Sequence, residues 1–407
     1  TETLLTDLVK ELSETKWNNQ QVTHEAFIAA HADGGPYPSC GYTNEGYYGR
    51  YYMNGELMEA NDKRLEPLHT VLATLDTHEH DVSTSVGHVL EQRLRLHEND
   101  SLHDMAVAGY ANTVACTDLK QVSLHMLNNF ERHWDEHEGP GDLKMDPKIG
   151  MYGIVSALVQ DLTENSNFQS KLQFQVVQIK ESKRVHVTSL SGETLTANAV
   201  IVTVPPPFLP KLGLQLSETK LQALEYIGFD TAIKFILKFS SRLWPSHLEN
   251  IICAGCLVPE VWFHNYDDES LYTATCFLTS DLARNFIKQS TTTVKKDEVC
   301  LEKAASLVIR QLSEMLQVTE SNFQEAYVDS LFFNWSNDPF IQGGYMYPKV
   351  GMTRQHLLDL AEPQGNIFFA GEATNTNACC TIQAAMETGV RAAKQVQESL
   401  LDDNGND

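Results

Sequence analysis

The run NIFFAGE, residues 366–372, ends in a Gly-Glu pair, passes through the polar stretch ATNTNACC and enters the helix-forming segment TIQAAMETGVRAAKQVQESL. A buried strand that feeds a helix in this way builds a corner able to bind an anion or a dipole. Gly371 permits close backbone approach to a ligand, and the Glu372 carboxylate can accept hydrogen bonds from sugar hydroxyls. The helix start at Thr381 and Ile382 brings backbone N–H groups and partial positive charge to an electron-rich ligand edge. Ala384, Ala385, Gly389 and Ala392 recur at a spacing that lets this helix pack closely on its neighbours. Taken alone, the pattern also suits a purely structural crossover. A second candidate is Lys234 in AIKFILKF, which reads either as a functional amine or as an ordinary lysine of a half-exposed strand, like Lys238. His78, Glu79 and His80, and His133 with His137 near acids, have metal-ligating types but sit in polar, solvated settings, so no metal is expected. Cys253 and Cys256 form a CxxC within IICAGCLVP. With no second CxxC or His pair nearby, they read as buried structural thiols rather than a zinc or redox motif.

The elements that must hold these residues follow from periodicity. Helical spacing covers 3–13, 65–75, 86–96 and 120–130, and a Gly-, Pro- and Tyr-rich loop from Gly34 leads into a short hairpin at 51–57. The composition breaks at Gly139–Gly141, and a strand-rich block follows: LQFQVVQIKES, RVHVTSL, a turn at Ser191-Gly192, ETLTA and AVIVTVPPP. The last is a continuous apolar run whose three prolines force an extended exit, which predicts a buried strand. A helix over 217–226, the strand AIKFILKF, further strands to Thr279 and a helix over 298–316 complete the block. The acidic tail LDDNGND reads as frayed.

The 407 residues carry a formal charge of −24 and 42% hydrophobic residues, which predicts two interleaved domains with a sizeable core and excludes phosphate-backbone binding. The same charge attracts cationic ligands such as polyamines. No apolar run of about 18 residues predicts a membrane span. Eight cysteines in this length make no disulfide framework. Asn99-Asp100-Ser101 and Asn334-Trp335-Ser336 are weak glycosylation sequons, and the apolar setting of the second predicts burial.

FFNWSNDPFIQGGYMYP followed by NIFFAGEATNTNACCTIQAAMETGVRAA resembles the C-terminal signature of the flavin amine oxidases. That superfamily contains polyamine oxidases, monoamine oxidases and lysine-specific histone demethylases. The correspondence covers Trp335, Asp338, Pro339, Gly343, Tyr345, Gly371, Glu372, Thr374, Thr381 and Gly389 with spacing preserved. ANAVIVTVPPPFL with YIGFDTAIKFILKF is similar to the family segment in which a Gly-Phe turn leads to an active-site lysine. The resemblance implies that Lys234 holds a water against flavin N5, and that Tyr345 forms one wall of an aromatic cage whose other wall falls at Thr381. It implies Val176, in FQVVQIKE, as the backbone contact of adenine, and Trp335, Gly344, Gly371, Glu372, Thr381 and Ile382 as cofactor-binding. Gly344 stands where monoamine oxidases carry the cysteine bonded to flavin, so the FAD is expected to be non-covalent. Trp335 and Tyr345 could also serve only as packing residues.

The chain departs from the family where the ADP half of FAD is held: no G-x-G-x-x-G follows a strand, and no acidic residue closes the next one. The expected fold is therefore mixed α/β, an FAD-linked amine oxidase fold lacking its N-terminal dinucleotide-binding βαβ. Residues 141–205 and 343–407 form the flavin side; 1–140 and 206–342 form a substrate domain of mixed sheet and helices. The resemblance implies oxidation of an amine, a polyamine or secondary amine ahead of a monoamine, by hydride transfer to flavin N5 with O2 reduced to H2O2. Three readings of the missing turn stay open. A second polypeptide supplies it, the sequence is truncated, or the chain is a catalytically silent homologue acting in an assembly. Compartment is left open, because the sequence begins at Thr1 and not at Met.

Overall fold

The computed structural model describes residues 49–59, 61–72, 74–75, 81–94, 100–136, 150–266, 271–291 and 299–404. The expected helix at 3–13, the Gly34 loop, Asn99, His78–His80, His137 and the break at Gly139–Gly141 lie outside them. In chain order the first elements are β1 (Gly49–Met53), β2 (Glu56–Glu59), α1 (Glu66–Leu72), α2 (Val86–Leu94) and α3 (Ser101–Ala106). A π-helix (Val107–Ala115), α4 (Leu124–Glu136) and α5 (Gly150–Glu164) precede β3 (Val176–Glu181), β4 (Val185–Ser189), β5 (Thr194–Ala197) and β6 (Val200–Val202). A 3-10 turn (Pro206–Leu212) leads to α6 (Glu218–Glu225), β7 (Ile227–Gly228), β8 (Ala232–Phe239), β9 (Asn250–Cys253), β10 (Glu260–Tyr266) and β11 (Leu271–Thr279). Then come α7 (Ser280–Ser290), α8 (Leu301–Leu316), α9 (Glu320–Ala326), β12 (Tyr327–Asn334), β13 (Tyr347–Pro348), α10 (Arg354–Ala361), β14 (Ile367–Phe369), a 3-10 turn (Glu372–Thr374) and α11 (Ile382–Asn404).

The described residues fall into two compact units, one within 129–225 and 353–407, the other within 38–128 and 226–352. The second unit holds a seven-stranded sheet in the order β12-β8-β11-β10-β9-β1-β2. The β1–β2 hairpin turns at Asn54-Gly55, both at positive φ, which is where the sequence put it. Strand β8 shows why Lys234 faces outward. Along AIKFILKF, Phe235, Leu237 and Phe239 are fully buried while Lys234 and Lys238 are exposed, a period-2 alternation. The buried rings pack with Trp244, Phe286 and Phe323 into the main core, each contributing roughly 1.5–3 kcal/mol of burial. Cys253 lies in this core with its Sγ donating to Met315 Sδ at 3.3 Å, whereas Cys256 is only half-buried.

In the first unit, β3-β4-β5 form an antiparallel sheet with its turn at Gly192, and β6 pairs in parallel with β14. Strand β14 is buried throughout, as NIFFAGE predicts. Strand β6 is not: Ile201 is 39% exposed, because among the described residues β6 pairs only with β14 and one face meets no layer. The triple-proline exit begins extended at Pro205 and then tightens into the 3-10 turn. Lys220 is fully buried. Its Nζ donates to the carbonyls of Asp359, Leu360 and Glu362 at 2.7–2.8 Å, which closes the C-terminal end of α10. Helix α11 continues to Asn404, so the first residues of the acidic tail are helical. Gly389 has nothing within 4 Å of a would-be Cβ, so the close-packing role expected of it falls to the buried Ala384 and Ala392.

Candidate active site

In the second unit four of the sequence-predicted residues gather at the head of β8. Lys234 lies opposite Phe277 of β11 and Phe333 of β12 in the two ladders, and its Nζ sits 5.2 Å from the Phe277 ring centroid. Phe333 stacks on Trp335 at 6.0 Å with the rings 14° apart. Two residues apart on the chain, those rings share the outward face of the sheet. Phe333 and Trp335 are exposed at 43% and 36%, so Trp335 is not a core residue. The lysine thus stands on an aromatic surface open to a ligand. Asn334 beside it is half-buried.

The loop from Trp335 to Tyr345 is tied to the turn that starts β8. Trp335 N–H donates to the Ala232 carbonyl at 3.0 Å, and Gly344 N–H to the Asp230 carbonyl at 2.9 Å. Asp230 carries the turn: its carboxylate accepts from the Thr231 amide, the Thr117 hydroxyl and the Arg284 guanidinium. Burial works against its ionised form, but the Arg284 and Thr231 hydrogen bonds outweigh it, so the carboxyl stays below its usual range. Cys116 lies beneath this loop. Burial pushes its thiol up to about 12, against hydrogen bonds with Thr279 and Tyr345. Sequence reasoning missed Cys116, Phe277 and Asp230. Only the alternation of Phe333 and Trp335 in FFNW was there to be read.

Gly344 is a glycine of close approach. A Cβ there would meet Cys116 Sγ at 2.7 Å and the Ala232 Cβ at 2.9 Å. Gly344→Ala is expected to destabilise by about 1–2 kcal/mol, and adding Cys116→Ala to it should recover part of the loss. Thermal denaturation of the two single variants and the double variant measures this; strictly additive losses would remove the contact from the explanation.

The first unit carries the remaining candidates. Gly371 has φ +128, a conformation that favours glycine, and its would-be Cβ faces open space, with Thr203 O at 3.9 Å the nearest atom. Its amide donates to Thr388 Oγ1 of α11 at 2.9 Å. Glu372 follows, and its Oε2 accepts from the Cys380 amide at 2.9 Å. Thr381 is the N-cap of α11: its Oγ1 accepts from the Ala384 amide at 3.0 Å, so one N–H that the sequence left for a ligand is already taken. Ile382 begins the helix and is 53% exposed. Asn375, which the sequence did not single out, shapes the loop between. Its Oδ1 accepts from the amides of Asn377 and Ala378, and its Nδ2 donates to Glu387 at 2.8 Å.

Val176 stands apart from this corner. It opens β3, an edge strand among the described residues, beside an irregularity between Val176 and Gln178. The far end of β3 meets the corner's strand, where the Asn366 amide donates to Glu181 at 2.7 Å. Five residues of strand rise put Val176 about 16 Å from that contact. Among the described residues, no three His, Cys, Asp or Glu side chains converge as for a metal ion. No described helix is long and apolar enough to cross a membrane.

The family model for flavin containing amine oxidoreductases matches residues 57–397. Lysine-specific histone demethylase 2 of Homo sapiens is 29% identical over 286 residues, 67% of this chain and 33% of that protein. Polyamine oxidase 3 of Oryza sativa subsp. japonica is 28% identical over 242 residues, 57% of this chain and 46% of that protein. The matched stretches thus span between a third and a half of those relatives. Among solved structures, wild-type putrescine oxidase bound to putrescine superposes with a TM-score of 0.69 at 15% identity, over 86% of this chain and 81% of that one. Cyclohexylamine oxidase from Brevibacterium oxydans IH-35A gives 0.69 at 15% identity, over 86% and 80%. At that identity the likeness is one of fold.

Proposed function

We propose that this chain, which belongs to the flavin containing amine oxidoreductase family, oxidises an amine, with polyamines and secondary amines ahead of monoamines. The observation that carries the reading is Lys234 set among Phe277, Phe333 and Trp335 on the outward face of a sheet whose other face is sealed core. A flavin fits the residues present. Space lies open at Gly371, a carboxylate follows at Glu372, a capped 23-residue helix starts at Ile382, and an edge strand begins at Val176. Bound there, FAD would supply the redox chemistry, accepting a hydride from the amine and returning electrons to oxygen as H2O2.

The protein's own residues bind and orient. Lys234 holds a water with its ammonium, and as a fixed cation it disfavours a protonated amine, so the neutral amine is the form selected. Tyr345 lines the approach of that amine. Gly371, Glu372, Thr381, Ile382 and the backbone of Val176 hold the cofactor. The crowding of Gly344 against Cys116 leaves no room for a cysteine, which supports a non-covalent flavin. The 407 residues contain no G-x-G-x-x-G, so an FAD bound here would need its pyrophosphate turn from other sequence, of the same or a second polypeptide. The net charge of −24 draws a cationic substrate towards the protein.

Gentle purification of the native full-length protein followed by an absorbance scan tests this. Bands near about 375 and 450 nm are expected from an oxidised flavin. A flavin-free spectrum would favour the silent homologue.

A further inference from the structure

The loop between Thr374 and α11 carries two adjacent cysteines that amine oxidation does not use. Cys379 is 1% exposed, Cys380 is half-buried, and their Sγ atoms lie 2.9 Å apart. A disulfide needs about 2.05 Å, so closing the pair takes a movement of about 0.9 Å. The surrounding loop holds the two thiols in that position. Cys380 has φ +66, an uncommon conformation for a residue with a side chain, and its amide is fixed to Glu372 Oε2 at 2.9 Å. Asn375 ties the amides of Asn377 and Ala378 on the other side, and Arg354 donates to Asn377 Oδ1 at 3.1 Å.

We propose that Cys379 and Cys380 are an oxidation site, at which a hydroperoxide converts the two thiols into a vicinal disulfide that reshapes the Glu372–Thr381 corner. Cys380, the more exposed, attacks the peroxide as thiolate. An S–O bond forms, the O–O bond breaks, and the leaving oxygen takes a proton and departs as water or alcohol. Cys379 then attacks the Cys380 sulfur: an S–S bond forms, the S–O bond breaks, and water leaves. The two thiols lose two electrons and two protons, and the peroxide is reduced. Burial raises the Cys379 thiol, which leaves the first attack on peroxide to Cys380. Adjacent Cα atoms are about 3.8 Å apart, closer than in an ordinary disulfide, so the ring is strained and a dithiol reopens it. The ring contains the Cys379–Cys380 peptide, so closing it moves the N–H that Glu372 accepts and the residue before the N-cap Thr381. If the proposed function holds, the oxidase is itself a source of hydrogen peroxide. The thiol chemistry itself requires only a hydroperoxide.

The native full-length protein, without amine, is treated with stoichiometric hydrogen peroxide, alkylated with iodoacetamide and mapped by peptide mass spectrometry. The peptide containing Cys379 and Cys380 is expected to lose two hydrogens, to take no alkyl label, and to regain both labels after dithiothreitol. Cys253 and Cys256 fall in a separate peptide and are scored apart. In Cys380→Ser the loss of two hydrogens at this peptide should vanish. Backbone hydrogen exchange at 380–384 should change on oxidation in the wild type and not in the variant. A wild-type pair that stays fully alkylated, or passes to sulfinic acids without closing, overturns the proposal. Because peroxide is added, neither outcome depends on whether an amine is the substrate.

Discussion

Under the proposed function, Lys234→Met is expected to slow amine-dependent turnover by about two to four orders of magnitude, the range for losing a positioned proton-handling group, while the protein keeps its fold. The fold should survive because the side chain points away from the core. Met preserves the aliphatic stem along Phe277, so only the cation–ring attraction is lost, about 0.5–1 kcal/mol. Lys238→Met is the matched control. It lies four residues on, on the same exposed face of β8, and should leave turnover close to wild type. Stopped-flow reduction and steady-state rates, read beside thermal midpoints, separate the two lysines. Equal rates in both variants would return Lys234 to the ordinary strand lysine that the sequence alone also allowed.

Gly228→Ala carries the largest expected loss of stability. A Cβ at this position would lie 2.0–2.4 Å from three atoms of the Tyr347 ring. That ring is 4% exposed, its hydroxyl donates to Gln121 Oε1 at 3.1 Å, and β7 and β13 pair directly at Gly228 and Tyr347. Neither side can move without breaking the pairing, so a cost of about 3 kcal/mol is expected, with a fall in melting temperature of roughly 6–12 °C. The damage reaches the site because Gly228 begins the turn that delivers Asp230 and then Lys234. Calorimetry of Gly228→Ala, Tyr347→Ala and the double variant should give a double-variant loss well short of the sum. Strict additivity would contradict the clash.

The outward orientation of Lys234 was legible because two lysines separated by apolar residues can face only one way in a one-sided sheet. NIFFAGE was legible because a short apolar run stopped by Gly-Glu has few other solutions. The helical segment from Ser101 to Ala115 was not. VAGYANTVA has no clear period, and its π turn is held by distant partners: Asn112 Nδ2 donates to Glu260, and Asn112 Oδ1 accepts from the Thr279 amide. Helix α5 was absorbed into a strand-rich block because Tyr152, Val155, Val159 and Leu162 are exposed while Ile154 and Ala157 are buried. Apolar residues on both faces erase the 3.6-residue signal. The exposure of Ile201 and the crowding of Gly344 depend on which strand or thiol lies alongside, which no local pattern encodes.

The most direct measurement is anaerobic titration of the native, flavin-bearing full-length protein with a panel of polyamines, secondary amines and one primary monoamine. The flavin band near about 450 nm should bleach, fastest with a polyamine or secondary amine, and recover on admitting oxygen as hydrogen peroxide accumulates. A flavin-bearing protein whose band no amine bleaches would contradict amine oxidation by this chain.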